Sequence, residues 1–181
     1  MCYKDRLIVI GGCGEGGISD AIHEIILAPP YSKKVLSRMP QLRARHGVEL
    51  VKDKIFIVGG ESPKYKILSN VLMYDINKNE CKEMSPLPIA VSQMATAVWK
   101  DSVIVIGGQD EKVKVLNSVI MYDVNTGKCK MLPSMKYKRR ACTAVVTGDV
   151  IVVMGGIDGR KTLNSVECFD LSCIQLSCMY L

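Results

Sequence analysis

Glycine pairs recur along this chain at a constant spacing, and this regularity constrains the fold more than any other feature. The pairs begin at Gly11, Gly59, Gly107 and Gly155, so a period of 48 residues occurs three times in succession. Each pair ends an apolar stretch of the kind that forms a β-strand buried on both faces. A fixed period of about 20 to 50 residues is typical of repeat architectures. We therefore expect an array of similar units that pack on one another.

The rest of each unit also repeats, and its pattern predicts further strands. A second strand leads to Tyr74-Asp75, and its counterparts end at Tyr122-Asp123 and Phe169-Asp170. Turns that contain Asn or Gly follow the first two, as tight hairpins require. A Pro-containing segment comes next, as at residues 85–88. Four short antiparallel strands in each unit are typical of one blade of an all-β propeller.

These motifs resemble the kelch repeat family, in which an apolar strand ends in Gly-Gly and a later strand ends in Tyr-Asp. An Arg that precedes the glycine pair by 16 residues also matches the family at Arg43 and Arg139, whereas Val91 stands at the position between them. The Trp that the family usually carries after the Tyr-Asp turn is missing, and Cys81 and Cys129 follow the two tyrosines instead. The resemblance implies an all-β kelch β-propeller.

The chain is expected to hold about three and a half blades of a probable six, since six is usual in the family. The kelch region spans residues 1–170, with repeats at approximately 5–52, 53–100, 101–148 and, in part, 149–170. We expect the chain to open in the second strand of a blade, and residues 171–181 to be a degenerate tail without the final turn and strand. A part-ring exposes apolar faces, so the chain is either a fragment or a truncated product that must associate.

The eight cysteines do not form a recognisable metal site. Cys-x-x-Cys is absent, and His23 and His46 are the only histidines. The evenly spaced Cys168, Cys173 and Cys178 supply three thiols with no histidine nearby, whereas a structural zinc ion takes four ligands. We therefore expect buried free thiols and no metal ion.

Residues 12–17 read Gly-Cys-Gly-Glu-Gly-Gly and match the dinucleotide-binding fingerprint, with a possible helix at 19–27 after them. The fingerprint requires an acidic residue about 20 positions further on, and that region holds Ser, Lys, Lys and Val instead. Gly12 also belongs to the glycine pair of the 48-residue repeat. No nucleophile, base and orienting group can be assembled around His23 or His46. We predict that the protein is not an enzyme and takes no cofactor.

Composition narrows the remaining classes of function. The net charge of +6 is spread along the chain, and no basic stretch alternates with aromatic residues as a nucleic-acid-binding surface would. The longest apolar runs are far shorter than the ~20 residues of a membrane-spanning helix. The N-terminus lacks the apolar segment of a secretory signal. We expect a cytoplasmic protein that binds neither nucleic acid nor membrane.

The candidate functional surface is the rim, which comprises the loops that follow the glycine pairs and the incoming loops that carry the arginines. Arginine suits an acidic partner because its planar guanidinium binds a carboxylate through two hydrogen bonds. The predicted partner-binding residues are Arg43, Arg45, Tyr65, Lys66, Gln109, Asp110, Arg139, Arg140, Asp158 and Arg160.

The kelch resemblance implies a protein–protein interaction module, in which this rim binds a partner that is often an acidic peptide. In the family, BTB and BACK domains often precede the propeller, and nothing in this sequence matches either. If the native protein has them upstream, the resemblance implies the substrate-recognition part of an adaptor for a cullin-type ubiquitin ligase. The alternative is a cytoskeletal kelch protein that binds actin.

Overall fold

The computed structural model describes residues 1–3, 6–172 and 175–177, and almost all regular structure within them is β-strand. In chain order the strands are β1 Cys2–Tyr3, β2 Arg6–Ile10, β3 Cys13–Gly14, β4 Gly17–Ile18, β5 Ala21–Ile26, β6 Ser32–Arg38, β7 Gly47–Val51, β8 Lys54–Val58, β9 Val71–Asp75, β10 Glu80–Met84, β11 Ala95–Trp99, β12 Ser102–Ile106, β13 Val119–Asp123, β14 Cys129–Leu132, β15 Thr143–Thr147, β16 Val150–Met154, β17 Val166–Asp170 and β18 Gln175–Ser177. A single 3-10 turn covers Pro63–Tyr65.

The strands form four antiparallel four-stranded sheets, and in each sheet consecutive strands of the set are neighbours. Sheet I contains β1, β2, β5 and β6; sheet II contains β7 to β10; sheet III contains β11 to β14; sheet IV contains β15 to β18. Strands β3 and β4 form a separate small ribbon. These blade-like sheets confirm the prediction of an all-β, partial kelch propeller.

Each sheet begins one strand before the corresponding sequence repeat. Strand β11 lies in the predicted repeat 53–100, yet it pairs along its whole length with β12 of the next repeat, from Ala95 opposite Ile106 to Trp99 opposite Ser102. Strands β7 and β15 pair with their following strands in the same way. Sheets II, III and IV therefore each join two successive sequence units, which ties these units together through backbone hydrogen bonds.

Two expectations about the ends of the pattern are wrong. Strand β1 pairs with β2, with Cys2 opposite Leu7, so a first strand precedes the one with which the chain was expected to open. After Asp170, the Ser172 backbone N–H donates to the Asp170 carboxylate at 2.8 Å, and β18 then pairs with β17. The aspartate supplies the turn without Asn or Gly, so the sequence signal was absent. The rest of the predicted tail, at 173–174 and 178–181, lies outside the described residues.

The second strand of each inner sheet is apolar on both faces because it is covered on both sides. In β8, Ile55 and Ile57 pack against sheet I, whereas Phe56 and Val58 pack against sheet III. The alternation follows from the two-residue period of a strand. Strand β12 repeats the arrangement between sheets II and IV. Three apolar cores, one between each successive pair of sheets, thus hold the described chain together.

The glycine pairs connect each sheet to the incoming loop of the next one. The N–H of Gly108 donates to the Arg139 carbonyl at 2.7 Å, and Gly12 and Gly60 make the same contact to the counterparts of Arg139 at 2.8 Å. The first glycine of the pair, Gly107, has φ +61°. A Cβ atom at Gly107 would overlap the Arg139 carbonyl oxygen. Only glycine satisfies both the backbone conformation and this close approach.

We predict that Gly107→Ala lowers the free energy of unfolding by at least about 2 kcal/mol, because the left-handed backbone and the overlap with the Arg139 carbonyl act together. Gly14→Ala is the control, since no atom lies within 4 Å of its would-be Cβ. That control is expected to change stability by less than about 0.5 kcal/mol. Urea unfolding measures both, and equal effects of the two substitutions would contradict the assignment.

Candidate functional site

The rim is built from loops that are held by backbone hydrogen bonds at both ends. The loops after the second, third and fourth glycine pairs are each closed by an isolated bridge, as between Gln109 and Val115, whereas the loop after the first pair forms the β3–β4 ribbon. The incoming loops are linked to one another around the inner side: the Gln93 N–H donates to the Arg45 carbonyl at 3.0 Å, and the Ala141 N–H donates to the Gln93 carbonyl at 2.8 Å. The rim therefore presents its side chains from a fixed backbone.

Arg139 lies inside the protein rather than on the rim surface, and its side chain is completely buried. One nitrogen, Nη1, donates to the Gly155 carbonyl at 2.8 Å and to the Ser165 carbonyl at 2.9 Å. Nη2 forms an ion pair with the buried Glu167 at 2.9 Å. The guanidinium thus joins the ends of β16 and β17, and the prediction that it contacts a partner is wrong.

Arg43 has the same buried position two interfaces earlier, between sheets I and II, and its prediction as a partner-binding residue is also wrong. Its Nη1 donates to the Gly59 carbonyl at 2.7 Å and to the Asn70 carbonyl at 3.1 Å. Its Nε and Nη2 have no partner, because Leu72 stands at the position that corresponds to Glu167 in the strand pairing. Burial lowers the pKa of Arg43 to about 10, so the side chain is still a cation at neutral pH.

The sequence held a signal for this burial. Arg43 precedes Gly59, the first glycine of a pair, by 16 residues, and this spacing suggested the family. The Arg43 side chain donates its hydrogen bond to the carbonyl of that same glycine. The same separation joins Arg139 to Gly155. Glu167, in an otherwise apolar strand, was the second indication of a buried ion pair.

We predict that Glu167→Val lowers the free energy of unfolding by about 3–5 kcal/mol, because it leaves the Arg139 guanidinium buried without its counter-ion. The double variant Arg139→Met/Glu167→Val removes the unpaired charge and is expected to recover only part of that loss. The Gly155 and Ser165 carbonyls lose their donor in it, and the Lys136 and Tyr137 N–H groups lose their acceptor. Chemical denaturation of both variants provides the comparison. If Glu167→Val lowers the free energy of unfolding by less than about 1 kcal/mol, the ion pair does not stabilise the fold in this way.

Arg45 and Arg140 do reach the rim, but each is engaged with a neighbour. Arg45 is about half exposed and pairs with the buried carboxylate of Glu61 at 3.1 Å. Arg140 donates from Nη1 to the Gln93 side-chain oxygen at 2.7 Å. These contacts orient both arginines along the incoming loops.

The predicted acidic residues shape the loops that carry them. Asp110 accepts hydrogen bonds from the N–H groups of Lys112 and Lys114, both at 2.9 Å. Asp158 accepts them from Lys161 and Arg160 in the same manner, which lowers the pKa of its carboxyl below the ordinary value. Gln109 pairs through its backbone with Ser92 and Val115. The carboxylates turn towards their own loops and leave the neighbouring cations outermost.

The tips of the loops carry the most exposed side chains of the rim. Tyr65 is 81% exposed and lies between Lys64 and Lys66. One period later, Val113 is 69% exposed between two further lysines. The predicted residues Tyr65, Lys66 and Arg160 thus lie at exposed positions. The prediction omitted Lys64 and Lys112, which the 48-residue offset relates to Arg160.

The other sites considered from the sequence do not form around their residues. The glycine-rich segment that matches the dinucleotide fingerprint forms the β3–β4 ribbon, and the segment after it is the strand Ala21–Ile26 rather than a helix. A phosphate therefore has no helix N-terminus to bind there. Among the described residues, no three His, Cys, Asp or Glu side chains are grouped so as to hold a metal ion. Cys173 and Cys178 lie outside that part of the chain.

His46 is enclosed between two glycine pairs, with its ring beside Gly11 and its Cβ beside Gly60. Burial, together with the charge of Arg43, lowers the pKa of the imidazole to about 4. The ring is therefore neutral at neutral pH, and its Nδ1 has no partner. This environment indicates a packing role.

Comparison with known proteins gives the family. The KLHDC2/KLHL20/DRC7 Kelch-repeats domain model matches residues 1–177. This chain belongs to the Kelch repeat family. Kelch-like protein 7 of Rattus norvegicus and that of Mus musculus are each 49% identical to it over 53 residues, which is 29% of this chain and 9% of the relative. The Kelch assignment thus rests on the family match over nearly the whole chain.

Kelch repeat domains are typically non-catalytic modules of protein–protein interaction, which is the general role that this family match supports. Within the described residues, no helix is long and apolar enough to span a membrane.

Proposed function

We propose that this Kelch domain binds an acidic segment of a partner protein at the rim. The observation that carries the proposal is that Lys64, Lys112 and Arg160 each lie four residues after the second glycine of a pair, on three successive loops. All three residues are exposed. A row of cations at the spacing of adjacent sheets offers an extended acidic peptide several contacts at once.

The charge balance of the rim supports an acidic partner. Of the acidic residues on these loops, only Glu111 is exposed. Glu61 is buried against Arg45, and Asp110 and Asp158 accept hydrogen bonds within their own loops. The positive charges of Lys64, Lys112 and Arg160 at the loop tips are therefore less offset by nearby carboxylates than the composition of the loops suggests. Attraction between this row and a carboxylate-rich peptide guides the encounter and weakens as salt rises.

Apolar side chains at the tips add contact area to this charge. Tyr65 and Val113 stand between lysines on neighbouring loops and are largely exposed. Tyrosine is enriched among residues that dominate the energy of protein interfaces, because its ring buries a large area and its hydroxyl donates a hydrogen bond. We assign to Tyr65 the apolar anchor of the interface.

We predict that the triple variant Lys64→Glu, Lys112→Glu and Arg160→Glu binds a fluorescent glutamate-rich peptide at least about tenfold more weakly than the wild type. Fluorescence anisotropy at two salt concentrations measures the binding. The control variant changes Lys78, Lys128 and Lys130 to Glu; these residues are also exposed but lie away from the rim. It has the same net charge, so an equal loss in both variants would contradict a specific role for the rim.

The finer proposal is that the native protein is a cytoplasmic BTB-kelch adaptor and that this domain recognises the substrate of a cullin-type ubiquitin ligase. The support is the Kelch family match and the partial similarity to proteins named Kelch-like. In such an adaptor, the rim binds the substrate while a cullin binds elsewhere on the protein. The two interactions are then separable by substitution.

We predict that a cullin co-purifies with the full-length native protein from its source cells, and that the rim triple variant retains the cullin but loses other partners. Mass spectrometry of the two purified complexes provides the comparison. Absence of a cullin would contradict the adaptor role. Sedimentation with actin filaments in place of cullin recovery would support the cytoskeletal alternative.

A further inference from the structure

A cavity of about 360 Å³ lies between sheets II and III, at the end of the strands opposite to the glycine pairs. Its apolar wall includes Val51, Phe56 and Val124. Its polar lining is Lys52, Asp53, Lys54, Asp75, Asn77 and Asn125; two of these, Lys52 and Asn125, contact Asp101. A volume of this order falls in the range of small-molecule binding pockets. The interfaces between sheets I and II and between sheets III and IV show which chemical group fits a cavity of this shape.

The other two interfaces each place an aromatic side chain at the corresponding position. Between sheets I and II, the Tyr3 hydroxyl donates to Asp53 Oδ1 at 2.6 Å. Between sheets III and IV, the Trp99 indole N–H donates to Asp149 Oδ1 at 2.8 Å. In both, the aromatic residue is 50 positions before the aspartate. An aromatic ring with one hydrogen-bond donor therefore completes the first and third interfaces.

The middle interface lacks this ring. Val51 occupies the position that Tyr3 and Trp99 occupy in their sheets, and it packs in the core between sheets II and III. Asp101, the counterpart of the two aspartates, has Lys52 Nζ at 3.0 Å from its Oδ1, and it accepts a hydrogen bond from Asn125 Nδ2 at 3.3 Å. The replacement of an aromatic side chain by valine accounts for the cavity, since the sheets keep the same repeat on either side.

We propose that this cavity binds a small planar aromatic molecule with one N–H or O–H donor, of the indole or phenol class. The ring would lie beside Val51 and Phe56, and the donor would bind the Asp101 carboxylate at the place that Lys52 takes. The Lys52 side chain is 71% exposed, so it can move into solvent at little cost. Apolar cavities left by a missing side chain bind aromatic molecules of matching size.

The negative charge of Asp101, at the polar end of the cavity, favours a ligand with a hydrogen-bond donor. Hydrogen bonds from Lys52 and Asn125 hold the pKa of Asp101 below its ordinary value, so its carboxylate is ionised at neutral pH. An ionised acceptor strengthens a hydrogen bond from an indole N–H or a phenol O–H. An aromatic molecule without a donor leaves that contact unmade and should bind more weakly.

The experiment is a titration of the full chain with 5-fluoroindole, followed by ¹⁹F NMR. We expect saturable binding with a dissociation constant below about 1 mM. In Val51→Trp, the new side chain fills the cavity, so binding should be lost and the thermal transition should rise by about 4 °C or more. In Trp99→Val, the ring is removed from the interface between sheets III and IV, so a second equivalent of the probe should bind.

Several results would overturn the proposal. They are the absence of saturable binding to the wild type, unchanged binding in Val51→Trp, and equal affinity for 5-fluoro-1-methylindole, which has no donor. The methylated probe is expected to bind about tenfold more weakly. If Val51→Trp does not fold, Val51→Phe fills the apolar part of the cavity with a smaller ring, and retention of full binding by that folded variant counts against the site.

Discussion

The hydrogen bond from the second glycine of the first three pairs to the next incoming loop is the contact on which the arrangement of the sheets depends. It requires a backbone approach that leaves no room for a Cβ atom at the first glycine, as the overlap at Gly107 shows. At the first and third interfaces, the residue that accepts this bond also reaches the following sheet through its side chain. Arg139 accepts from Gly108 of sheet III through its carbonyl and donates to Gly155 of sheet IV through its guanidinium. One arginine thus joins two sheets, with its backbone in one contact and its side chain in the other.

The interface between sheets II and III departs from this design at both ends. Val91 accepts the bond from Gly60 but has no guanidinium to extend to sheet III. At the opposite end, Val51 replaces the aromatic donor of the other interfaces. Apolar packing alone compensates at the first position, where Val91 is buried in the core. Beside Val51 a cavity is left. The interface between sheets II and III is therefore where we propose that a small molecule binds.

Since these contacts hold the backbone of the rim, the loop tips are free to differ in their side chains. The tips share a cation at the 48-residue offset but vary beside it, with Tyr65 on one loop and Val113 on the next. A rigid frame with variable tips keeps the ordering cost of binding low, because little backbone must be immobilised when the partner arrives. The proposed interface therefore depends on the buried arginines only indirectly, through the frame that they stabilise.

By itself, the sequence determined the repeat, the all-β class and the need for glycine, because these follow from local periodicity and from the backbone freedom of single residues. It misassigned Arg43 and Arg139, since charged residues in loops are usually exposed and only the neighbouring strand ends supply the carbonyls that bury them. It also missed β18, whose turn uses Asp170 without an Asn or Gly signal. Tertiary structure alone decided the cavity beside Val51 and the direction of each loop side chain. Both arise from contacts between neighbouring sheets, and the residues in those contacts lie about one repeat apart in the chain.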